Sequence, residues 1–387
     1  MPIKNRFSEL LPEMTAWRRD FHANPELLYD THRTAGIVAE KLREFGCDEV
    51  VEGIGQTGVV GVINGRAPGK MVIGLRADMD ALPIKETTGL PHASKVEGRM
   101  HACGHDGHTA MLLGAAKCLA ETRNFAGKAV LIFQPAEEGG AGGKAMCDDG
   151  LMDRWKIDEV YALHNSPRLP IGSFGTRQGP FLAAGDTFEL RLRGRGTHAA
   201  YPQSGIDTML VAAMLIVGLQ GIVSRNSDPN HALVVSVTQL TSDSEAVNVI
   251  PQTVTLRGTA RALDRAEQDM AEARIKQTAE GIAAAYGAEV EVEYTRRYPL
   301  LINSPEQTAA GIAAARAISG ACAELPPSMG SEDFAFLLQE RPGAFMMVGN
   351  GDSAPLHNPD YEFNDEAMPY GSSWFLSVVE SRMPVAP

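Results

Sequence analysis

Short, continuously apolar segments alternate with helical patterns through the first two hundred residues. The clearest are "KMVIGLRADMD", "GKAVLIFQPAEEGG" and "IDEVYALHNSP", with helices predicted at Thr34–Phe45 and Asp106–Leu119. Strands that are apolar along their whole length are typical of a parallel sheet covered by helices on both faces. Ligands of such sheets bind beyond the carboxyl ends of the strands. We therefore predict an α/β fold with a mostly parallel sheet, whose polar strand ends meet at one edge.

The pattern changes near Phe181. The order becomes strand–helix–strand–strand–helix–strand, from the alternating "DTFELRLRGRG" through a helix near Ala266–Tyr286 to "AEVEVEYTRRYP". This order predicts a small α+β domain of the split βαβ, ferredoxin-like kind. The earlier pattern returns after Pro299, so the small domain is predicted to be an insertion. The expected boundaries are 1–182 and 295–387 for the larger domain, and 183–294 for the inserted one.

Composition excludes several classes of partner. The 387 residues carry 35 Lys plus Arg against 48 Asp plus Glu, a net charge of −13. Nucleic acids and anionic membranes require a basic face, so neither is expected as a partner. No apolar run is expected to approach the roughly 20 residues of a bilayer span. The five cysteines show no framework spacing, which favours a reducing cytoplasm.

The segment "MHACGHDGHTAMLLGAA" contains three histidines and a cysteine just before a helix. Residues two apart in an extended chain point to the same side, so Cys103 and His105 can converge on one cation. Thiolate and imidazole both bind divalent metals such as zinc. Taken alone, the motif also fits a structural zinc site. His101 and His108 are expected to pack or to form hydrogen bonds.

Further candidate ligands follow other strands. Glu137 and Glu138 end one apolar strand, His164 ends another, and His357 lies in the loop "APLHNPDYEF". Each alone is more often a solvated polar residue. With one of the two glutamates as a ligand, they and the pair Cys103 and His105 supply five ligands, enough for two metals. Adjacent side chains diverge in an extended chain, so one glutamate can bind metal while the other faces the substrate.

Seven ordered motifs resemble one enzyme family. They are "RADMDALP", "MHACGHDGHTAMLLGAA", "QPAEEGGAGG", "ALHNSPRLPIG", "VNVIPQTV", "GSEDFAF" and "LHNPDYEFND". The chain is similar to the amidohydrolase branch of the aminoacylase/carboxypeptidase metallopeptidase clan, which includes hippurate hydrolases and indole-acetyl-amino-acid hydrolases. The resemblance implies a binuclear centre on Cys103, His105, Glu138, His164 and His357, with Glu137 as the general base.

Asp78 and Asp80 follow the strand "KMVIGLRADMD". Two acids beside metal-bound imidazoles suit the role of acceptors that orient the ligands. A helix cap or a turn is the alternative reading. Related branches of the family have a metal-binding histidine near the position of Asp78. Because this chain has an aspartate at that position, the role of Asp78 stays open. Asp80 is the one we assign to the catalytic machinery.

The inserted domain contributes three further residues by resemblance. The segment "GRGTHAAYPQSGIDTM" is similar to the family's lid motif around His198, although Thr197, Tyr201 and Gln203 depart from its usual residues. Asn248 and Arg261 match positions that contact the substrate carbonyl and carboxylate. In related dimers, the histidine reaches the partner's site and stabilises the oxyanion. A plain surface histidine is the alternative for His198.

The function predicted is metal-dependent hydrolysis of the amide bond of N-acyl amino acids, giving a carboxylic acid and a free amino acid. Two divalent metals are expected per chain, zinc or manganese first and nickel or cobalt next. A homodimer or homotetramer is expected from the resemblance. The alternatives are a dipeptidase or aminopeptidase of the same clan, a cysteine amidase using Cys103 and His105, and a non-catalytic, zinc-stabilised binding module.

Overall fold

Eight strands form one mixed sheet in the larger part of the chain. The computed structural model describes residues 5–386 and divides them into two compact units. The first unit comprises the chain up to Gly179, Ile302–Pro326 and the chain from Asp333 onward, and the second comprises Pro180–Leu301 and Pro327–Glu332.

The strands of the chain, in order, are β1 Glu49–Ile54, β2 Gly58–Asn64, β3 Ala67–Asp78, β4 Ala126–Gln134, β5 Glu159–Pro167, β6 Phe174–Thr176, β7 Gly179–Leu182, β8 Ala184–Arg193, β9 Thr197–His198, β10 Leu233–Ser242, β11 Val249–Ile250, β12 Thr253–Ala262, β13 Glu289–Tyr298, β14 Leu301–Asn303, β15 Ala323–Glu324 and β16 Gly343–Gly351. The helices are α1 Asn5–Ala23, α2 His32–Glu44, α3 His105–Thr122, α4 Gly142–Asp148, α5 Leu151–Arg154, α6 Thr208–Arg225, α7 Arg265–Ala285, α8 Pro305–Ser319, α9 Phe334–Glu340 and α10 Met368–Arg382.

The sheet of the first unit has the strand order β1-β2-β4-β3-β5-β16-β6-β15. Its four central strands, β4, β3, β5 and β16, are parallel, so their carboxyl ends lie at the same edge. Alternate residues of β3, such as Ile73 and Leu75, pack in the core with α1, α2, α3, α8 and α10. The intervening residues are buried as well, and Arg76 among them lies against the ring of Phe334 in α9. The α/β class with a mostly parallel sheet is therefore confirmed.

The second unit has a four-stranded antiparallel sheet in the order β10-β12-β8-β13. Along the chain its main elements run β8, α6, β10, β12, α7, β13, which is the predicted order of the split βαβ kind. The apolar faces of α6 and α7 pack on the sheet around Leu190, Leu215, Leu256 and Ile275. The inner strands β12 and β8 alternate buried and more exposed residues because one face of the sheet carries the helices.

Helix α6 departs from one expectation. It is 18 residues long and apolar enough, by length and composition alone, to cross a membrane, although no apolar run was expected to come near that length. One such helix is weak evidence, because the core helices of soluble proteins pass the same test. About a third of α6 is buried, as a stripe that includes Val211, Leu215, Leu219 and Ile222 at helical spacing.

Candidate metal centre

Two glycines allow the start of α3 and the residue before it to pack closely against their neighbours. Gly104 has φ +89°, a left-handed conformation, and a Cβ atom there would lie closer than 3.0 Å to the Asn165 amide and the Tyr361 hydroxyl. A Cβ atom on Gly107, in the first turn of α3, would lie equally close to the Phe363 ring. The segment therefore fits against its neighbours only because both residues lack a side chain.

Two histidines present the same ring nitrogen to one point. His105 Nδ1 donates to the carbonyl of Asp80 at 2.8 Å, and His164 Nδ1 donates to the carbonyl of Asn165 at 2.7 Å. A carbonyl oxygen only accepts, so each Nδ1 carries a proton, and Nε2 is the ring nitrogen left to bind a metal. His164 Nε2 lies 3.4 Å from Cys103 Sγ, and the buried His105 Nε2 has no hydrogen-bond partner among residues 5–386. This is the arrangement that a metal-binding imidazole adopts.

A second group of candidate ligands lies beside the first. His357 Nε2 is 3.2 Å from Glu138 Oε1, and the His357 N–H donates to the Ala102 carbonyl, which fixes the loop at a left-handed φ of +61°. Ligand atoms of Cys103, Glu138 and His357 lie within 4.8 Å of one another, as do those of Cys103, His105 and His164. The structure thus brings all five predicted ligands together, and both groups contain Cys103.

Asp78, His105 and His108 form a third candidate group. In this group, hydrogen bonds within the protein already occupy both ring nitrogens of His108. The Asn165 N–H donates to His108 Nε2 at 2.9 Å, so the proton of His108 lies on Nδ1, which donates to Asp78 Oδ1 at 2.6 Å. Both ring nitrogens are in use, and Asp78 also accepts from Arg76 at 2.7 Å. His108 thus forms hydrogen bonds, in line with its expected role.

Asp80 orients the segment that carries the two glutamates. Its Oδ1 accepts from the Glu137 N–H at 2.9 Å and its Oδ2 from the Glu138 N–H at 3.1 Å. The glutamates lie in a turn after Ala136, which has φ +55°, and not in extended chain. The reason given for their divergence was therefore wrong. Asp80 and the turn separate them, so that Glu138 faces His357 while Glu137 accepts from the Asp333 N–H at 3.4 Å.

The electrostatics of this cluster suit a cation. Burial raises the pKa of the Cys103 thiol, and the nearby Glu138 carboxylate raises it further. Burial also lowers the pKa of His164 well below its usual range, so the ring is neutral, as a ligand must be. A divalent ion would offset the clustered carboxylates and stabilise the thiolate, so the residues present fit a metal.

The remaining predicted residues belong to the second unit. His198 is exposed on β9, where the Ala200 N–H donates to its Nδ1 at 3.1 Å. Asn248 lies next to it, because its carbonyl accepts from Ala199 N–H at 2.9 Å. Arg261, half-buried on β12, donates to the Thr259 hydroxyl and to the Ala260 carbonyl.

Sequence reasoning missed Asn165 and Tyr361. Asn165 Nδ2 donates to the Cys103 carbonyl at 2.6 Å, and its Oδ1 accepts from the Tyr361 hydroxyl at 2.7 Å. Both residues stand within motifs already noted, "ALHNSP" and "HNPDYEF". The available signal was an amide directly after a candidate ligand, a position suited to holding the ligand's backbone.

A mostly parallel sheet with thiolate, imidazole and carboxylate groups at its carboxyl edge defines a metallohydrolase type of protein. The model of Peptidase family M20/M25/M40 matches residues 74–381, and the chain belongs to this family. It is therefore a hydrolase that acts on amide bonds.

Three similar proteins illustrate the range of the family. The chain is 41% identical to a hippurate hydrolase of Campylobacter jejuni, over 96% of each chain. It is 39% identical to thermostable carboxypeptidase 2 of Saccharolobus solfataricus, over 96% of this chain and 95% of that one. Among solved structures, it matches the YXEP protein of Bacillus subtilis, described as a dinuclear metal binding peptidase, with a TM-score of 0.84, 33% identity and coverage of 97% and 99%.

Proposed function

We propose that this hydrolase cleaves the amide bond of N-acyl amino acids at a centre of two divalent metals. The observation that carries the proposal is the pair of ligand groups, Cys103–His105–His164 and Cys103–Glu138–His357, that share one sulfur. Two cations, one bound by each ligand group, would therefore lie next to each other. The dinuclear description of the YXEP protein supports the same number of ions.

The metals, when bound, would lower the pKa of a water molecule and polarise the amide carbonyl. Glu137 removes a proton from the attacking water, whose oxygen bonds to the carbonyl carbon. As the C–N bond breaks, Glu137 passes that proton to the amine nitrogen. Asp80 holds the Glu137 backbone N–H and positions the carboxylate for both transfers. His198 stabilises the negative charge on the carbonyl oxygen.

The substrate class follows from the bond that the relatives cleave. A hippurate hydrolase and a carboxypeptidase both release an amino acid that bears a free carboxylate, from an acyl or a peptidyl group. An amide next to a carboxylate is the feature common to both. Arg261 is proposed to bind that carboxylate and Asn248 the carbonyl oxygen, because a guanidinium pairs with a carboxylate in two parallel hydrogen bonds.

A homodimer formed through the second unit is proposed from its exposed apolar surface. Leu210, Met214 and Val217 form an exposed apolar stripe on α6, and Val234 and Leu240 are exposed on the edge strand β10. An exposed apolar patch beside an unpaired strand edge favours association with another chain. The acidic chain, with five cysteines that show no framework spacing, suits a reducing cytoplasm.

The test uses protein stripped of metal by a chelator. Zinc, manganese, cobalt or nickel is restored singly, and each sample is assayed with N-acetyl, N-benzoyl and N-succinyl amino acids and with dipeptides. We expect activity to return only with metal, at two ions per chain, and to be highest on N-acyl amino acids. Dipeptides as the best substrates would favour the peptidase alternative. Full activity without metal would overturn the proposed centre.

A cysteine amidase fits the site less well. Cys103 Sγ does contact His164 Nε2 at 3.4 Å, as a nucleophile and its base would. Burial nevertheless raises the pKa of this thiol, which is the opposite of activation. Reversible inactivation by a chelator would reject this mechanism.

A further inference from the structure

A cluster of buried charged side chains lies at the first turn of α3, one residue beyond His105. His22 of α1 donates from Nδ1 to Asp106 Oδ2 at 2.8 Å, and its Nε2 lies 3.4 Å from Glu86 Oε1. Arg18, one helical turn earlier, is 3.6 Å from the same Asp106 oxygen. His22, Asp106 and Arg18 are all essentially inaccessible to solvent. None of them has a place in the proposed chemistry.

His22 is positively charged near neutral pH. Burial lowers its pKa, but the hydrogen bonds to Asp106 and Glu86 outweigh burial and raise it to about 9. Both ring nitrogens therefore donate, each to a carboxylate. A buried ion pair of this kind adds little net stability, because desolvation of the charges offsets their attraction. The desolvation cost of this buried ion pair is better explained if the pair holds a neighbouring part of the chain in position.

What the pair holds is the start of α3. The helix has no side-chain cap at Gly104. In its first turn, both oxygens of the Asp106 carboxylate accept hydrogen bonds. Its Oδ1 accepts from the Gly107 N–H at 2.9 Å, while its Oδ2 accepts from His22. The carboxylate thus ties α1 to the turn in which His105 stands. The direction of the His105 ring depends on this turn and on one bond to Asp80.

We propose that His22 is a positioning residue which, through Asp106, fixes the first turn of α3 so that His105 Nε2 stays directed at Cys103 and His164. The inference rests on the proposed role of His105 as a metal ligand. It assigns a function to the "RRDFHANPEL" segment, which the catalytic machinery does not use.

Two substitutions at one position separate positioning from mere stability. In His22→Asn, the amide nitrogen stands close to the place of Nδ1 and can still donate to Asp106. In His22→Gln, the longer amide reaches the place of Nε2 and can donate only to Glu86. The control is Glu159→Gln, which neutralises a buried carboxylate paired with Arg382 elsewhere in the first unit.

Metal-free protein is titrated with Co²⁺, and the affinity and the visible absorption bands of the cobalt–thiolate centre are recorded beside thermal unfolding. We expect His22→Gln to weaken cobalt binding about 10- to 100-fold, which is the usual effect of mutating a residue that orients a metal ligand. We also expect the absorption bands to shift. His22→Asn should keep wild-type affinity and bands. Glu159→Gln should unfold at a lower temperature with its cobalt spectrum unchanged.

Equal cobalt affinity and identical bands in His22→Gln and wild type would overturn the inference, whatever happens to the unfolding temperature. If His22→Gln fails to fold, Asp106→Ala replaces it, since an alanine side chain accepts no hydrogen bond from His22. An unchanged spectrum in that variant would also overturn the inference. A wild-type protein that binds no cobalt would instead overturn the proposed metal centre, and the positioning role with it.

Discussion

At the scale of single residues, hydrogen bonds to backbone groups decide what each side chain can do. His105 and His108 stand one helical turn apart, yet within residues 5–386 only His108 has a hydrogen-bond partner at Nε2. The Asp80 carbonyl takes the Nδ1 proton of His105, whereas the Asn165 N–H occupies Nε2 of His108. Residue type alone could not separate them, because the deciding partners are 25 and 57 positions away.

Glu137→Gln should retain the metals and lose most turnover. The amide preserves the shape of the side chain but cannot take a proton from water, and general acid–base catalysis contributes about 100- to 10,000-fold. The measurements are kcat and metal content. Glu138→Gln is the matched control, and we expect it to bind metal more weakly. If instead the Glu137 variant lost the metals, the roles of the two glutamates would be exchanged.

Cys103 should be alkylated slowly in metal-loaded protein and faster after chelation. A bound metal blocks the thiolate, and chelation leaves a thiol that can ionise and react. Peptide mass spectrometry after timed labelling measures each cysteine separately. Cys147, which is partly exposed, serves as an internal control whose rate should not depend on metal. Equal Cys103 rates in both states would count against its role as a ligand.

At the scale of elements, the sequence predicted the long helices well and the turns poorly. The helix expected at Asp106–Leu119 spans His105–Thr122, and the one near Ala266–Tyr286 spans Arg265–Ala285, because apolar periodicity is a local signal. Part of the candidate site was predictable in the same way, because Glu137 and Glu138 follow a buried strand and His105 begins a helix. The turn at Glu137 was not, because it depends on a left-handed Ala136 and on Asp80 from another strand.

Gly107→Ala should weaken metal binding and destabilise the first unit. Alanine is intrinsically the better helix former by roughly 1 kcal/mol, but its Cβ atom would collide with the Phe363 ring. Overpacking of this kind typically costs about 1–3 kcal/mol. Chemical unfolding and cobalt affinity measure both effects. Gly36→Ala in α2 is the control, and it should stabilise. Apart from the backbone of its own helix and its chain neighbours, no atom of residues 5–386 lies within 4 Å of the added carbon. A Gly107 variant as stable as wild type would show that the ring moves aside.

At the scale of the whole molecule, two variants that are inactive separately should complement each other. His198→Ala lacks the proposed oxyanion donor, and Cys103→Ala lacks the shared metal ligand. If His198 acts on the partner's site, one site of a mixed dimer combines an intact metal centre with an intact histidine. Co-refolding should therefore recover part of the wild-type activity. Mixed dimers that form but remain inactive would exclude action across the dimer.

The order of strands in the large sheet determines when that sheet can be completed during synthesis of the chain. β16 lies between β5 and β6, both of which are made far earlier. The sheet of the first unit thus stays interrupted until β16 has left the ribosome, whereas all four strands of the second unit's sheet emerge before it. His357 emerges later still than β16. Before β16 emerges, the nascent chain therefore carries a completed small unit and an open large one, and it acquires its full set of candidate ligands only after β16 and the loop that follows it have emerged.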